Sequence, residues 1–115
     1  LALKTALAEV ESSSTLIFDE IDSGVSGRIS SSIAKLLKEL SKHKQVFCVT
    51  HQPLVAAVAD HHFSVSKTVH DGVTRSSVTF LEGFEERQKE LAELAGGDSI
   101  EATIYAASLL ENKAA

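Results

Sequence analysis

The sequence predicts an α/β fold in which a parallel βαβ core is followed by an antiparallel hairpin and by C-terminal helices. Two short apolar runs that flank an amphipathic segment predict the core, because strand, helix and strand at this spacing form a parallel pair with a right-handed crossover. An Asp-Gly pair between two alternating segments predicts the hairpin. The chain of 115 residues, 43% of them hydrophobic, is long enough for one domain or for part of a larger one.

The predicted core begins with a strand at residues 15–19, a short apolar run that is typical of a fully buried strand in a parallel sheet. Ser26 is placed to cap a helix that continues to about residue 42. Five apolar residues form the predicted inward stripe of this helix: Ile29, Ile33, Leu36, Leu37 and Leu40. A second strand is predicted at residues 45–50, and Pro53 then begins a short helix that extends to residue 59.

A helix is predicted before this core and a hairpin after it. The helix covers residues 1–11 and begins without a cap or a preceding turn, so we expect the chain to be part of a larger protein. The hairpin covers residues 63–81, and the turn at Asp71-Gly72 fixes its register. The pairs that follow from this turn are His70 with Val73, Val65 with Val78, and Phe63 with Phe80.

Two helices are predicted at the end of the chain. The first covers residues 84–95, with Leu91 and Leu94 facing inward, and Gly96-Gly97 stops it. Asp98 or Ser99 caps the second, which extends to about residue 111. Its predicted inward face is Ile100, Ile104, Ala107 and Leu110.

Charge and apolar patterning exclude some functions. The net charge of −5 argues against binding of nucleic acid by this chain through charge alone. No apolar run approaches the roughly 18 residues that a membrane span needs. The one cysteine, Cys48, lies in an apolar run and is predicted to be a small buried hydrophobic residue, which fits a reducing cytoplasm.

Three polar residues follow the predicted strands at the point where each strand ends. Asp19 and Glu20 end the first strand, and His51 follows the second. Because ligands bind at the carboxyl ends of the strands in an open parallel sheet, we expect these side chains to face a ligand. Asp19 is a candidate ligand for Mg²⁺, which prefers oxygen. Glu20 could orient or deprotonate a water molecule, and His51 could donate a hydrogen bond to a phosphate.

Three motifs resemble those of the ABC-type ATPases, including the SMC-like heads. LIFDEID at residues 16–22 resembles the Walker B strand, SGVSGR at 23–28 lies where the family has its D-loop, and VTHQP at 49–53 lies where it has the switch histidine. Within this superfamily, DEIDSGVSGR followed by THQPLVAAVADHHF closely resembles the C-terminal part of the RecN family of bacterial DNA repair proteins. The resemblance covers nearly the whole chain and implies that residues 1–115 are the C-terminal lobe of a P-loop NTPase head.

The resemblance implies ATP and Mg²⁺ as cofactors and gives each candidate residue a role. Asp19 would hold Mg²⁺ through water, Glu20 would polarise the attacking water as the catalytic carboxylate, and His51 would contact the γ-phosphate. All three would therefore contribute to cofactor binding. The D-loop residues would cross to a second copy of the head in a homodimer: Ser23, Gly24, Val25, Ser26 and Gly27.

Three further parts of a RecN-like protein are missing from the sequence: a G-x-x-x-x-G-K-[ST] P-loop, a Leu-Ser-Gly-Gly signature and a long coiled coil. We therefore expect the isolated chain to be inactive. The implied function of the parent is ATP hydrolysis at a head–head interface during repair of DNA double-strand breaks and recombination. Its implied location is the bacterial cytoplasm, associated with the nucleoid, with DNA bound by other parts of the parent and no membrane partner.

Two other functions are compatible with the same residues. One is a Mg²⁺-dependent phosphoesterase or nuclease that uses Asp19, Glu20, Asp22 and His51, although such a domain should bring more carboxylates to the same sheet edge. The other is a non-catalytic interaction lobe that keeps the ABC-like fold without turnover. A signature motif directly before residue 1 and a P-loop far before it would favour the ATPase.

Overall fold

The computed structural model describes residues 15–22, 24, 26–97 and 99–112. The helix predicted at residues 1–11 lies outside these residues. The chain divides into two compact units between Val58 and Ala59. The first unit holds the predicted βαβ core, and the second holds the hairpin and the C-terminal helices.

The first unit is a parallel pair of strands joined by a helix. Strand β1 spans Thr15–Asp19, helix α1 spans Gly27–Leu40, strand β2 spans Gln45–Val49, and the short helix α2 spans Pro53–Ala57. The two strands pair in register, from Thr15 opposite Gln45 to Asp19 opposite Val49. This confirms the predicted βαβ unit and places the carboxyl ends of both strands at the same level.

Helix α1 forms where the sequence supplies a cap and an apolar stripe. The Ser26 side chain accepts a hydrogen bond from the Ile29 backbone N–H at 3.5 Å, which is the predicted cap. Ile33 and Leu37 pack on Phe18 of β1 in the core of this unit. Ile29 was predicted to face inward, but 48% of it is exposed. The buried residues of α1 include Ser30, Ala34 and Leu37, so the packed face is centred on that line and Ile29 lies at its edge.

Only one face of the two-stranded sheet is covered in the part of the first unit that the structure describes. Phe18 is buried and Leu16, Val46 and Cys48 are partly buried against it, whereas alternate residues on the other face are exposed: Ile17, Phe47 and Val49. The prediction of a fully buried β1 is therefore wrong for the described residues. The apolar run in the sequence reflects two apolar faces, of which α1 and α2 cover one.

The second unit begins with the predicted hairpin. Strands β3 and β4 span Phe63–His70 and Val73–Phe80, and they pair antiparallel in the predicted register, from Phe63 opposite Phe80 to His70 opposite Val73. Asp71 and Gly72 both adopt positive φ, 52° and 76°. A two-residue turn of this kind matches the twist of the strands, which is why Asp-Gly predicts it.

Two helices complete the second unit and pack on each other. Helix α3 spans Phe84–Leu94, and helix α4 spans Ile100–Asn112. Ser99 caps α4, since its hydroxyl accepts a hydrogen bond from the Ala102 N–H at 3.0 Å. Leu91 is buried as predicted, and Leu94 is partly buried.

The inward face of α4 differs from the prediction. Ile100 and Ile104 are exposed, and the buried residues are Ala102, Ala106 and Leu110. These three repeat every four residues, so they also form a helical stripe. Leu110 is buried as predicted and Ala107 is partly buried, but Ala102 and Ala106 take the place of the two isoleucines on the packed face, and their small side chains allow a close approach between helices. No helix among the described residues has the length and apolar character to cross a membrane.

Candidate functional site

The candidate site lies where β1 and β2 end side by side. Asp19 pairs with Val49 in the last position of the sheet. One residue further, the Glu20 backbone N–H donates a hydrogen bond to the Val49 carbonyl at 2.8 Å. This bond ties the start of the loop after β1 to the end of β2. Glu20 and His51 therefore leave the sheet at the same edge.

Glu20 has an unusual backbone conformation for its residue type. Its φ is +51°, in the left-handed region that residues other than glycine rarely adopt. Such a conformation costs on the order of 1–3 kcal/mol and persists where the surrounding structure imposes it. Here the hydrogen bond to Val49 holds it. The chain therefore turns sharply directly after Asp19, and the Glu20 side chain does not continue the alternation of the strand.

The turn brings together two of the predicted site residues. The Nδ1 atom of His51 lies 3.4 Å from the Oε1 atom of Glu20, and each side chain is 55% exposed. A carboxylate and an imidazole at this distance can share a proton or hold one water molecule between them and a ligand. Both groups remain accessible to a ligand that approaches the sheet edge.

Asp19 is exposed at the end of β1, next to Glu20 in sequence. No group of three or more His, Cys, Asp or Glu side chains that could enclose a metal ion occurs among the described residues. Such a sparse donor set fits Mg²⁺, which keeps several water ligands and is commonly bound through one or two carboxylates together with phosphate oxygens. Asp19, at the end of β1, is the candidate ligand for such an ion at this edge.

Cys48 lies behind this edge, on the covered face of β2. Burial, together with the negative charges of Asp22 and Asp19, raises the pKa of its thiol to about 11. The neutral thiol is therefore the form present near neutral pH, and it packs as the small hydrophobic residue that the sequence predicted.

Asp22 has a different environment from the other acidic residues. It is 0% exposed, and its Oδ2 atom accepts a hydrogen bond from the Thr50 hydroxyl. The hydroxyl oxygen in turn accepts a hydrogen bond from the Gln52 N–H at 3.0 Å. Asp22 is therefore not a solvated loop residue, because its side chain is buried against the chain that follows β2.

Sequence reasoning missed Thr50 and Gln52. A threonine hydroxyl commonly accepts a hydrogen bond from the backbone N–H two residues further on, when that N–H has no acceptor within a helix. This arrangement is a common turn. The order Thr-His-Gln-Pro, between the end of a strand and a proline at the first helical position, is the signal that could have identified it.

The predicted D-loop is described in part. Gly24 adopts φ +75°, Ser26 caps α1, and Gly27 is the first residue of that helix. Ser23 and Val25 lie outside the described residues. The described ends of this segment are therefore the buried Asp22 and the start of α1.

The second unit holds a separate, partly buried titratable group, His62. Burial, and next the positive charge of Arg87, lower the pKa of His62 to about 4. Among the described residues, the His62 Nδ1 atom is buried without a hydrogen-bond partner. Its neighbour in sequence, His61, packs against the ring of Phe80, with the ring centroids 6.1 Å apart.

Sequence comparison identifies relatives of the chain. A family model for an AAA domain, whose description also names the AbiEii toxin and a Type IV TA system, matches residues 1–57. The DNA repair protein RecN of Synechocystis is 48% identical over 100% of this chain, and that of Treponema pallidum is 44% identical over 92%. The chain spans 22% of the length of the first relative and 18% of the second.

Comparison with solved structures finds the same fold in SMC proteins. An SMC ATPase, studied for ATP-driven dimerization and DNA-stimulated activation, matches with a TM-score of 0.62 and 24% identity, over 85% of this chain and 58% of that one. An SMC head bound to the C-winged helix domain of ScpA matches with a TM-score of 0.57 and 31% identity, over 70% of this chain and 24% of that one. The predicted α/β fold of an SMC-like ATPase head and the resemblance to the C-terminal part of RecN are both confirmed.

Proposed function

We propose that this chain, which is similar to the C-terminal part of bacterial RecN over nearly its whole length, supplies the Walker B, D-loop and switch-histidine part of a RecN-like ATPase. The parent protein would act in repair of DNA double-strand breaks and in recombination. The observation that carries the proposal is the meeting of Glu20 and His51, 3.4 Å apart, where two parallel strands end. This is the place at which an open parallel sheet binds its ligand.

Each residue of the edge has a chemical role in this proposal. Glu20 accepts a proton from, or polarises, the water that attacks the γ-phosphate of ATP. His51 donates a hydrogen bond to a γ-phosphate oxygen, where negative charge must be stabilised in the transition state. Asp19 holds Mg²⁺ through water, and the ion supplies neutralisation of the phosphate charge when it is bound.

The P-loop and the signature motif would come from other chain segments. The sequence contains neither motif, so this lobe carries only part of the groups that phosphoryl transfer requires. The D-loop, residues 23–27, would contact the second head of a homodimer. Phosphoryl transfer depends mainly on positioning and electrostatics, so a site that is completed by a second head makes hydrolysis depend on assembly.

Contact with DNA is assigned to other parts of the parent. The net charge of this chain is −5, which disfavours direct binding to phosphate backbones. A RecN-like function places the parent in the bacterial cytoplasm, at the nucleoid.

A Mg²⁺-dependent phosphoesterase or nuclease is less well supported. Such an enzyme would need further carboxylates beside Asp19 and Glu20 to hold its metal ions. Asp22, the third acidic residue of the motif, is buried and bonded to Thr50. No cluster of three metal-binding side chains occurs elsewhere in the described residues.

Mg-ATP hydrolysis by the full-length parent tests the proposal. Glu20→Gln removes the base but keeps the size of the side chain, so the rate should fall on the order of 10²- to 10⁴-fold. Glu39→Gln is the matched control, because Glu39 is exposed on α1 and pairs with Lys42 at 3.0 Å. Equal rates for wild type and Glu20→Gln would refute the proposed role of this edge.

A further inference from the structure

We propose that Asp22 and Thr50 are positioning residues that hold His51 against Glu20, an inference that rests on the proposed function. Asp22 follows the strand end by three residues, yet it is 0% exposed and accepts the hydrogen bond of the Thr50 hydroxyl. The two residues are 28 positions apart in sequence. This bond is a side-chain connection between the loop after β1, which carries Glu20, and the segment after β2, which carries His51.

The Thr50 hydroxyl is fixed from both sides. It donates its proton to Asp22, and its oxygen accepts the Gln52 N–H at 3.0 Å. Thr50 and Gln52 flank His51, and Gln52 is followed by Pro53, whose φ is restricted by its ring. The backbone on both sides of His51 is therefore held by one hydroxyl group.

The imidazole itself has little packing to hold it, since 55% of its side chain is exposed. A second connection lies on the other side of the site, where the Glu20 N–H donates to the Val49 carbonyl at 2.8 Å. The two strand ends are thus joined by a backbone bond at Glu20 and by the Asp22–Thr50 bond. Together these bonds fix both backbones from which Glu20 and His51 project.

The buried environment of Asp22 is unfavourable for the stability of the fold. Its Oδ1 atom is buried without a hydrogen-bond partner among the described residues. A buried acceptor without a hydrogen-bond partner destabilises a fold, because it has lost its bonds to water without replacing them. An apolar residue of similar size would avoid this cost, so the carboxylate is better explained by the orientation that it gives Thr50.

The test compares two substitutions of Thr50 in the full-length parent. Thr50→Val keeps the shape of the side chain and removes the hydroxyl, whereas Thr50→Ser keeps the hydroxyl. We expect Thr50→Val to lower kcat for Mg-ATP hydrolysis on the order of 10- to 100-fold, the effect of a misplaced catalytic group. KM for ATP should change less than about 3-fold, and Thr50→Ser should retain most of kcat.

A double-mutant cycle separates positioning from a structural effect. In a His51→Ala background, Thr50→Val should cause no further loss, because no imidazole remains to be positioned. An equal loss in both backgrounds, or wild-type kcat for Thr50→Val, would overturn the proposal. If Thr50→Val does not fold, Asp22→Leu against Asp22→Asn makes the same comparison, since only Asn retains an acceptor for the Thr50 hydroxyl.

Parallel assays of Glu20→Gln and His51→Ala distinguish a failure of the proposed function from a failure of the positioning role. Wild-type hydrolysis by both variants would refute the proposed function itself. A large loss in both, together with unchanged kcat for Thr50→Val and for Asp22→Leu, would refute only the positioning role.

Discussion

Glu20 adopts a backbone conformation that is unfavourable for its residue type. Its positive φ is unfavourable for any side chain with a Cβ atom, and a glycine at this position would remove the strain. Glycine would also remove the carboxylate that lies beside His51. Strained backbone of this kind is concentrated at functional sites, which agrees with the proposed role of this edge.

His62 provides a prediction about pH at the same scale. Its pKa is lowered from 6.5 to about 4, first by burial and then by the charge of Arg87. The unfolded chain therefore binds a proton near pH 6.5, while the folded chain does not until about pH 4. The stability that neutral His62 contributes should be complete above about pH 6.5 and should be lost as the pH falls toward 4.

An NMR titration of the His62 ring checks the pKa directly, and hydrogen exchange of the hairpin amides checks its effect on stability. Protection of these amides should decrease between about pH 6.5 and pH 4 after correction for intrinsic exchange. In His62→Gln, which does not titrate, this decrease should be smaller. A pKa near 6.5 for His62 in the folded protein would contradict the prediction.

Some of these single-residue features could be predicted from the sequence, and others could not. The positions of Asp19, Glu20 and His51 follow from where the apolar runs stop, because parallel strands end at a common edge. The burial of Asp22 does not follow in the same way. Its partner Thr50 is 28 residues away, and acidic residues in loops are usually solvated.

Helix α1 is the element on which the core of the first unit depends. Ile33 is 2% exposed and packs with Phe18 and Leu37. Ile33→Ala should destabilise the fold by about 2–5 kcal/mol, because it leaves a cavity between helix and sheet. Ile29→Ala, on the same helix but 48% exposed and outside the core, should cost less, about 0.5 kcal/mol.

Urea denaturation of the chain, followed by circular dichroism, measures both substitutions. Similar losses for Ile33→Ala and Ile29→Ala would show that the whole predicted stripe is buried, contrary to the structure. The comparison isolates the effect of burial, because both substitutions remove the same atoms from an isoleucine in the same helix.

Elements with strong local signals were predictable from the sequence. Strand β1 and the hairpin register follow from apolar runs and from the Asp71-Gly72 turn. The face of α4 was predicted only in part: Leu110 is buried, whereas Ile100 and Ile104 are exposed and the less hydrophobic Ala102 and Ala106 pack instead. Packing depends on the partner surface, which periodicity in one helix does not describe.

At the scale of the whole molecule, the chain carries only part of the groups that ATP hydrolysis needs. The isolated 115-residue chain should therefore show no Mg-ATP hydrolysis above background, although Glu20 and His51 are in place. The full-length parent, assayed at the same concentration, is the control. Turnover by the pure isolated chain that Glu20→Gln abolishes would show that this lobe is a complete enzyme, which would contradict the proposed division of the site.

We propose that Asp19, Glu20 and His51 take part in ATP hydrolysis by the full-length parent, with Glu20 as the group that activates water. The most direct test is to incubate the full-length Glu20→Gln variant with Mg-ATP, remove free nucleotide, and identify what remains bound. We expect intact ATP, because binding groups are unchanged while the group that activates water is lost. Bound ADP at the level found for wild type would show that hydrolysis does not require Glu20, and the proposed active site would be wrong.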